Sequence, residues 1–302
     1  MIVENCENIY HIDILSLRPN NWYLSEEKLY GVRECWKAGD QKKLPPVLVT
    51  VINNEYSLID GHSRAYAAYE NREKMIKAEL LDLSEIEGSR ALYEHLHFEG
   101  PKQGIKNISD LKNRIVSPEE HKRLWIDYCE KWMEENDRYT QNFSEFISVT
   151  RFLNEKFGIV PLLYGSMGLQ TVTGIDFFPN DIDILVPSIY LNNDWDVFKS
   201  FIEKAGFLLF DPKEHEFIKG NFRISFAGIE ELITYADVDP ARSQSVEDKG
   251  AVYRQLTAQD YLKVYMKSSK DSYRKNKNND KDLEKIYILR KLLKKEDSHA
   301  VN

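Results

Sequence analysis

Hydrophobic and polar positions divide the chain into short alternating segments and longer helical stretches. Ile12 to Pro19 reads as a short strand stopped by its proline. Ser25 opens a helix, with Lys28 in the slot where a capping box would place Glu. After the Pro45-Pro46 break, Val47 to Ile52 is a strand, Asn53-Asn54 a turn and Tyr56 to Ile59 the return strand. Asp60-Gly61-His62-Ser63-Arg64 comes at once, then a helix from Ala65 to Asn71 and a strand from Met75 to Leu81. A helical stretch from Glu85 to Leu96 stops at Gly100-Pro101-Lys102-Gln103-Gly104. Asp110 and Pro118 punctuate the chain beyond it. An amphipathic helix is expected from about Glu119 to Glu135, with Leu124, Cys129 and Trp132 near one face and Trp125 and Tyr128 beside them.

Asn136-Asp137-Arg138 is the best boundary, giving expected domains 1–136 and 137–302. The second opens with a helix from Phe143 to Phe157, ended by Gly158. Leu162 to Leu169 reads as a strand and a Gly-Ser turn, and Asp181 to Val186 as a strand. Trp195 to Ala205 is a helix, and Glu216–Lys219 with Phe222–Phe226 forms a hairpin across Gly220-Asn221. From Thr257 to near Leu293 the pattern is helical, with a polar turn at Asn276 to Asp280. The fold class expected is α/β (α+β).

The strand at Asp181 carries the chemistry. Strand residues two apart point the same way, so Asp181 and Asp183 project together while Ile182 and Val186 take the other face. Neighbouring carboxylates repel and persist as anions best around a divalent cation. A Gly-Ser turn brings backbone N–H groups against a phosphate. Gly165-Ser166 followed by Asp181-Ile182-Asp183 resembles the nucleotidyltransferase fold of DNA polymerase β and the aminoglycoside nucleotidyltransferases, from roughly Phe143 to the end of the chain. The resemblance implies Mg²⁺ on Asp181 and Asp183, a triphosphate on Gly165 and Ser166, and ATP or another NTP as substrate. It also implies a third carboxylate from a later strand. Phe222 to Ala227 is that strand, but Arg223, Ser225 and Ala227 on its outer face are not acidic. Glu230, just beyond, is the expected third acid, with Glu231, Asp237 and Asp239 further on. Basic residues of the helical tail, Lys267, Lys270 and Arg274, are spaced to share or nearly share one helical face, and the resemblance implies that a basic residue of such a tail meets the triphosphate.

In the first half, strand, turn, strand, Asp60-Gly61-His62-Ser63-Arg64, helix, strand resembles the ParB/sulfiredoxin fold over about Ile12 to Asp82. That resemblance implies nucleotide phosphates at Gly61 to Arg64. Gly61 permits close approach, the first-turn amides lack partners, and the helix dipole favours an anion. Ser63 adds a hydroxyl and Arg64 a guanidinium fork. His62 is expected to orient a phosphate, to act as an acid, or to be structural. Sulfiredoxin chemistry needs a cysteine in this turn, and none is present. The free-serine kinases of this fold use a similar turn and a glutamate soon after the first-strand proline; here Glu26 and Glu27 come later. Leu83 to Glu135 shows no helix-turn-helix, so DNA binding is not expected.

Composition narrows the setting. The 302 residues suit two domains, and no apolar run is long enough to cross a membrane. The N-terminus does not read as a signal peptide. Cys6, Cys35 and Cys129 are sparse and unpaired in spacing, which fits a cytoplasmic protein. Net charge is −8, yet Lys263 to Lys295 holds twelve Lys or Arg against four Asp or Glu. Such a tail attracts a polyphosphate or an RNA backbone. The leading expectation is transfer of a nucleotide from an NTP, with Mg²⁺, to a hydroxyl or phosphate on a small molecule, protein or RNA. A small-molecule kinase in the first half, or a non-catalytic nucleotide sensor or nucleic-acid binder, are the rivals.

Overall fold

The computed structural model describes residues 8–270 and 281–300, with side chains of the last helix as far as residue 294. Arg274 and the turn expected at Asn276 to Asp280 lie outside the described residues. The chain divides into two units, Met1–Asp137 and Arg138–Asn302. Asp137 falls with the first because its carboxylate accepts the Ser89 hydroxyl at 2.7 Å.

The first unit contains β1 (Ile9–Asp13), β2 (Arg18–Pro19), β3 (Leu24–Ser25), α1 (Glu26–Lys37), β4 (Val47–Ile52), β5 (Glu55–Asp60), α2 (His62–Glu70) and β6 (Met75–Leu80). Next come α3 (Arg90–Glu99), β7 (Ile115–Val116), α4 (Pro118–His121) and α5 (Asp127–Asn136). Five strands form one sheet in the order β1-β6-β4-β5-β2, and β3 pairs with β7 separately. The β4–β5 hairpin turns at Asn53 and Asn54, both at positive φ (51° and 61°), as a tight two-residue hairpin needs. Ile12, Val47, Val49, Leu58, Ala65 and Ala78 fill the core between sheet and helices.

Three local differences from the sequence pattern have physical causes. The expected Ile12–Pro19 strand is cut by a 3₁₀ turn at Ile14–Ser16, because the Asp13 carboxylate caps the Leu15 amide at 2.9 Å. The helix expected from Glu85 starts at Arg90, where Ser89 Oγ accepts the Leu92 amide. Residues 118–136 stay helical, but a π turn at Lys122–Ile126 inserts an extra residue. The face therefore rotates: Trp125 is buried, while Leu124 is only half-buried.

The second unit opens with α6 (Arg138–Phe157), which starts five residues before the expected Phe143, then β8 (Leu162–Leu163), α7 (Gly165–Thr173), β9 (Ile182–Val186) and α8 (Trp195–Lys204). A hairpin arm comes next: β10 (Leu208–Asp211), β11 (Glu216–Lys219) and β12 (Phe222–Gly228). The remainder is α9 (Glu231–Ala236), β13 (Gln244–Asp248), β14 (Ala251–Gln255), α10 (Ala258–Ser268) and α11 (Lys281–Ala300). Its seven strands run in the order β10-β11-β12-β9-β8-β14-β13. The sheet is covered on both faces, and β9 at its centre shows why its sequence is so apolar. Ile182, Ile184 and Val186 pack with Phe146 of α6 and Phe198 of α8. Leu185 packs on the other side with Leu169 of α7, Tyr261 of α10 and Ile286 of α11. Asp183 shares the parity of Leu185 and so faces α7, α10 and α11.

Candidate active site

In the second unit, the Tyr164 amide donates to the Asp183 carbonyl at 2.9 Å, which fixes the Gly-Ser turn beside the start of β9. Gly165 then turns with φ of 65° and begins α7. A β-carbon on Gly165 would overlap the Asp183 carboxylate, so only glycine admits this approach. Tyr164 supplies no side-chain cap, which leaves the first-turn amides at Gly165 and Ser166 for an anion. Ser166 is half-buried at this helix end. Further along α7, Gly168 has no room for a β-carbon either, because the Tyr261 hydroxyl sits there on its way to the Leu163 carbonyl at 3.1 Å.

Asp181 lies one residue ahead of β9, half-buried. The chain before it is pinned by α6, where Arg138 donates to the carbonyls of Asn180 and Asn221, and Asn142 Nδ2 donates to that of Pro179 at 3.1 Å. Asp183 is level with Ser225 on the parallel strand β12, and the Ser225 hydroxyl donates to its Oδ1 at 3.2 Å.

Helix α11, which packs on the side of the sheet that Asp183 faces, carries the half-buried Lys285. Its Nζ lies 4.6 Å from the centre of the Tyr265 ring. Burial pulls the Lys285 pKa down and Lys281 acts the same way, while Asp282, Asp183 and Asp181 act on it in the opposite direction. The helix is anchored by Asp282, buried against α10 with Oδ2 accepting the Ser268 hydroxyl at 2.6 Å.

Glu230 is not part of this group. Val186 is level with Gly228, so Glu230 lies beyond the far end of the strands, at least about 10 Å past the level of Asp183 at roughly 3.3 Å per residue. There its carboxylate accepts the amide of Ser188 at 2.9 Å and the Ser188 hydroxyl as well. Burial works to raise its pKa, and the Ser188 bonds outweigh burial and hold it below the usual range. Lys267 is exposed, on the side of α10 away from buried Tyr261, Tyr265 and Ser268, and Lys270 is exposed in the turn just past the helix.

In the first unit, Gly61 (φ 91°) N-caps α2, which is why the helix begins at His62 rather than Ala65. A pocket of about 220 Å³ opens there, lined among others by Asn21, Ser25, Lys28, Ser63, Arg64 and His121. Arg64 Nη2 donates to Asp60 at 2.9 Å, while its Nε is buried with no protein partner. His62 is turned to a structural task. Its Nε2 accepts the amides of Asn20 at 3.2 Å and Asn21 at 3.0 Å, and its ring also bonds the Leu58 carbonyl. Burial pushes its pKa down to about 4, so the ring is neutral near pH 7 and holds the Asn20-Asn21 turn rather than donating to a ligand. Glu26 and Glu27 are exposed and outside the pocket lining; Lys28 takes that place.

No protein-family model matches the chain. Uncharacterized protein YnaI of Bacillus subtilis (strain 168) is 47% identical over 152 residues, half of this chain and 97% of that one. The chain belongs to the YnaI family. Looser likenesses exist among solved structures. The solution structure of antibiotic-resistance factor ANT(2'')-Ia overlaps 50% of this chain and 85% of its own at 10% identity and a TM-score of 0.33. Protein Atu1540 from Agrobacterium tumefaciens overlaps 65% and 91% at 15% identity and a TM-score of 0.25. Likenesses at such scores carry no weight beside the geometry of the chain's own residues.

Gly165 closely approaches the Asp183 carboxylate, and Gly61, His62, Ser63 and Arg64 line one pocket with Asp60. Sequence reasoning missed Lys285, Arg138 and Asn142, and gave Ser225 no role. For Lys285 the signal was in the Lys281-Asp282 step: a buried Asp282 on α11 turns the residue three further on toward the same side. No described helix is long and apolar enough to cross a membrane.

Proposed function

We propose that the second unit binds a nucleoside triphosphate with Mg²⁺ and transfers its nucleotide to a hydroxyl or phosphate acceptor. The observation that carries this reading is the contact of Gly165 with the Asp183 carboxylate at the uncapped start of α7, which sets anion-binding amides beside a metal-binding acid. The residues fit the ion. Mg²⁺ characteristically takes one or two carboxylates plus substrate phosphates, and Asp181 and Asp183 supply that pair. Bound there, Mg²⁺ would polarise the α-phosphate and offset the charge of the leaving pyrophosphate.

The chain's own groups do the rest. The amides of the α7 first turn and the Ser166 hydroxyl hold phosphate oxygens. Ser225 keeps Asp183 in one orientation. Arg138 and Asn142 hold the backbone that presents Asp181. The acceptor oxygen bonds to the α-phosphorus, the bond to pyrophosphate breaks, and the acceptor's proton passes to a carboxylate of the pair.

The test is label transfer from each of four α-³²P-labelled NTPs with Mg²⁺, to the chain itself or to protein and RNA from a lysate. Asp181→Asn and Asp183→Asn are expected to cut transfer and pyrophosphate release by about 100-fold or more. Wild-type protein that releases no pyrophosphate, or variants that release it unchanged, would refute the reading. Release of ADP with a phosphorylated small molecule would instead favour kinase activity in the first unit. A second, separate reading holds for that unit: its pocket takes a nucleotide phosphate, supported by the buried Arg64 Nε that lacks a protein partner.

A further inference from the structure

Resting on the nucleotidyltransferase reading, the carboxylate count and the position of Lys285 carry a more specific statement about that site. A pair of divalent ions about 3.5–4 Å apart brings four positive charges to one place and needs several carboxylates to hold them. Among the described residues, no group of three or more His, Cys, Asp or Glu could hold a metal. The position on β12 level with Asp183, where a third acid would project beside it, is occupied by Ser225, an uncharged hydroxyl bonded to Asp183 at 3.2 Å. Its same-face neighbours do not compensate: Arg223 is a cation paired with Glu216 at 2.9 Å, and Ala227 is apolar. Glu230 is engaged with Ser188 beyond the strand end.

What the site gains instead is an ammonium group. Stacked rings run from the Gly-Ser turn toward it: Tyr164 on Tyr261 at 6.4 Å, Tyr261 on Tyr265 at 6.2 Å, then Lys285 Nζ at 4.6 Å from the Tyr265 ring centre. The buried Asp282–Ser268 bond fixes the helical turn that carries Lys285. Asp183 faces the side of β9 on which this helix packs, through Leu185 and Ile286, and the charges of Lys281 and Asp282 near Lys285 cancel, so Asp181, Asp183 and Lys285 sum to one negative charge. That balance suits one divalent ion with a triphosphate and leaves a second without ligands.

We infer that the site takes a single divalent ion, and that the Lys285 ammonium supplies the second positive charge facing the triphosphate.

The experiment counts Mn²⁺ by electron paramagnetic resonance on the full chain carrying Arg64→Ala throughout, to silence the first unit's pocket, with each of the four non-hydrolysable α,β-methylene nucleoside triphosphates. The chain otherwise wild type is expected to bind one Mn²⁺ per bound analogue, with the spectrum of an isolated ion. Ser225→Asp is expected to admit a second ion and show spin coupling between the two. Lys285→Met is expected to weaken analogue binding by about 10- to 100-fold, the effect of one charge-assisted contact. Lys285→Arg keeps affinity within a few-fold and serves as the folding control, and Lys267→Met stays at wild-type affinity. Two coupled ions in the wild type, or unchanged affinity in Lys285→Met, would overturn the inference and leave nucleotide transfer standing. Absence of any bound analogue or ion in the wild type would remove both.

Discussion

Gly165 stands so close to Asp183 that a side chain on the glycine and the carboxylate cannot occupy the site together. The relationship ties backbone conformation to ligand binding, since the same residue sits at φ of 65° where a β-carbon is disfavoured. Gly165→Ala should lose about 1–2 kcal/mol from the left-handed backbone alone. It should also displace Asp183 and weaken Mn²⁺ binding by about tenfold or more. Chemical denaturation and an Mn²⁺ titration check both parts; a variant with wild-type stability and affinity would contradict the contact.

Gly168 and Tyr261 form a second close pair, three residues further along α7. Tyr261 is fully buried, and burial drives its pKa well up, so its neutral hydroxyl donates to Leu163. Tyr261→Phe should cost about 1 kcal/mol for that hydrogen bond. Gly168→Ala should cost about 1–3 kcal/mol by overpacking. In a double-mutant cycle the combined loss should be smaller than the sum, because removing the hydroxyl relieves part of the clash. Strict additivity of the two losses would rule out the steric coupling.

His62 gives the first unit a pH dependence. Its folded pKa of about 4 lies below the ordinary 6.5, so the unfolded chain binds the proton more readily. The stability this provides is complete above about pH 6.5 and is lost as pH falls toward 4, by about 3 kcal/mol at the limit. His62→Gln should lack this component. The stability gap between wild type and variant, followed by urea denaturation, should narrow between pH 7 and pH 4.5. A gap that stays constant across that range would show that the imidazole is not buried as a neutral acceptor.

Arg64 tests the first unit's pocket. Arg64→Ala removes the orphaned Nε and the bond to Asp60 together. Binding of ADP to this unit should weaken by about tenfold or more, the scale of a charge-assisted phosphate contact. Asp181→Asn in the second unit should leave that affinity alone. Calorimetric titration that finds Arg64→Ala indistinguishable from wild type would remove the phosphate site.

Glu230→Gln is expected to leave Mn²⁺ and nucleotide affinity within about twofold, because its carboxylate serves Ser188 at the other end of β9. The same variant should lose about 1 kcal/mol of stability as charged hydrogen bonds become neutral ones. A large fall in Mn²⁺ affinity would show that Glu230 reaches the metal after all.

Elements that rest on contacts within a few residues were legible in the order of the residues alone. The Asn53-Asn54 hairpin, the Gly220-Asn221 hairpin, the Thr257 helix start and the Gly-Ser turn ahead of β9 all carry their cause in neighbouring side chains and backbone dihedrals. The shared side of Asp181 and Asp183 comes equally from the alternation of a strand. Which residues answer those carboxylates was decided only by tertiary structure. Parallel pairing of β12 with β9 sets Ser225, and not an acid, opposite Asp183, and carries Glu230 past the strand end. Helix α11 brings Lys285 to the side of β9 that Asp183 faces, across about a hundred residues of sequence, while exposed Lys267 faces elsewhere. The reason is physical: strand register and helix docking are fixed by burying Leu185, Tyr261 and Ile286 in one core, a condition that no local pattern contains.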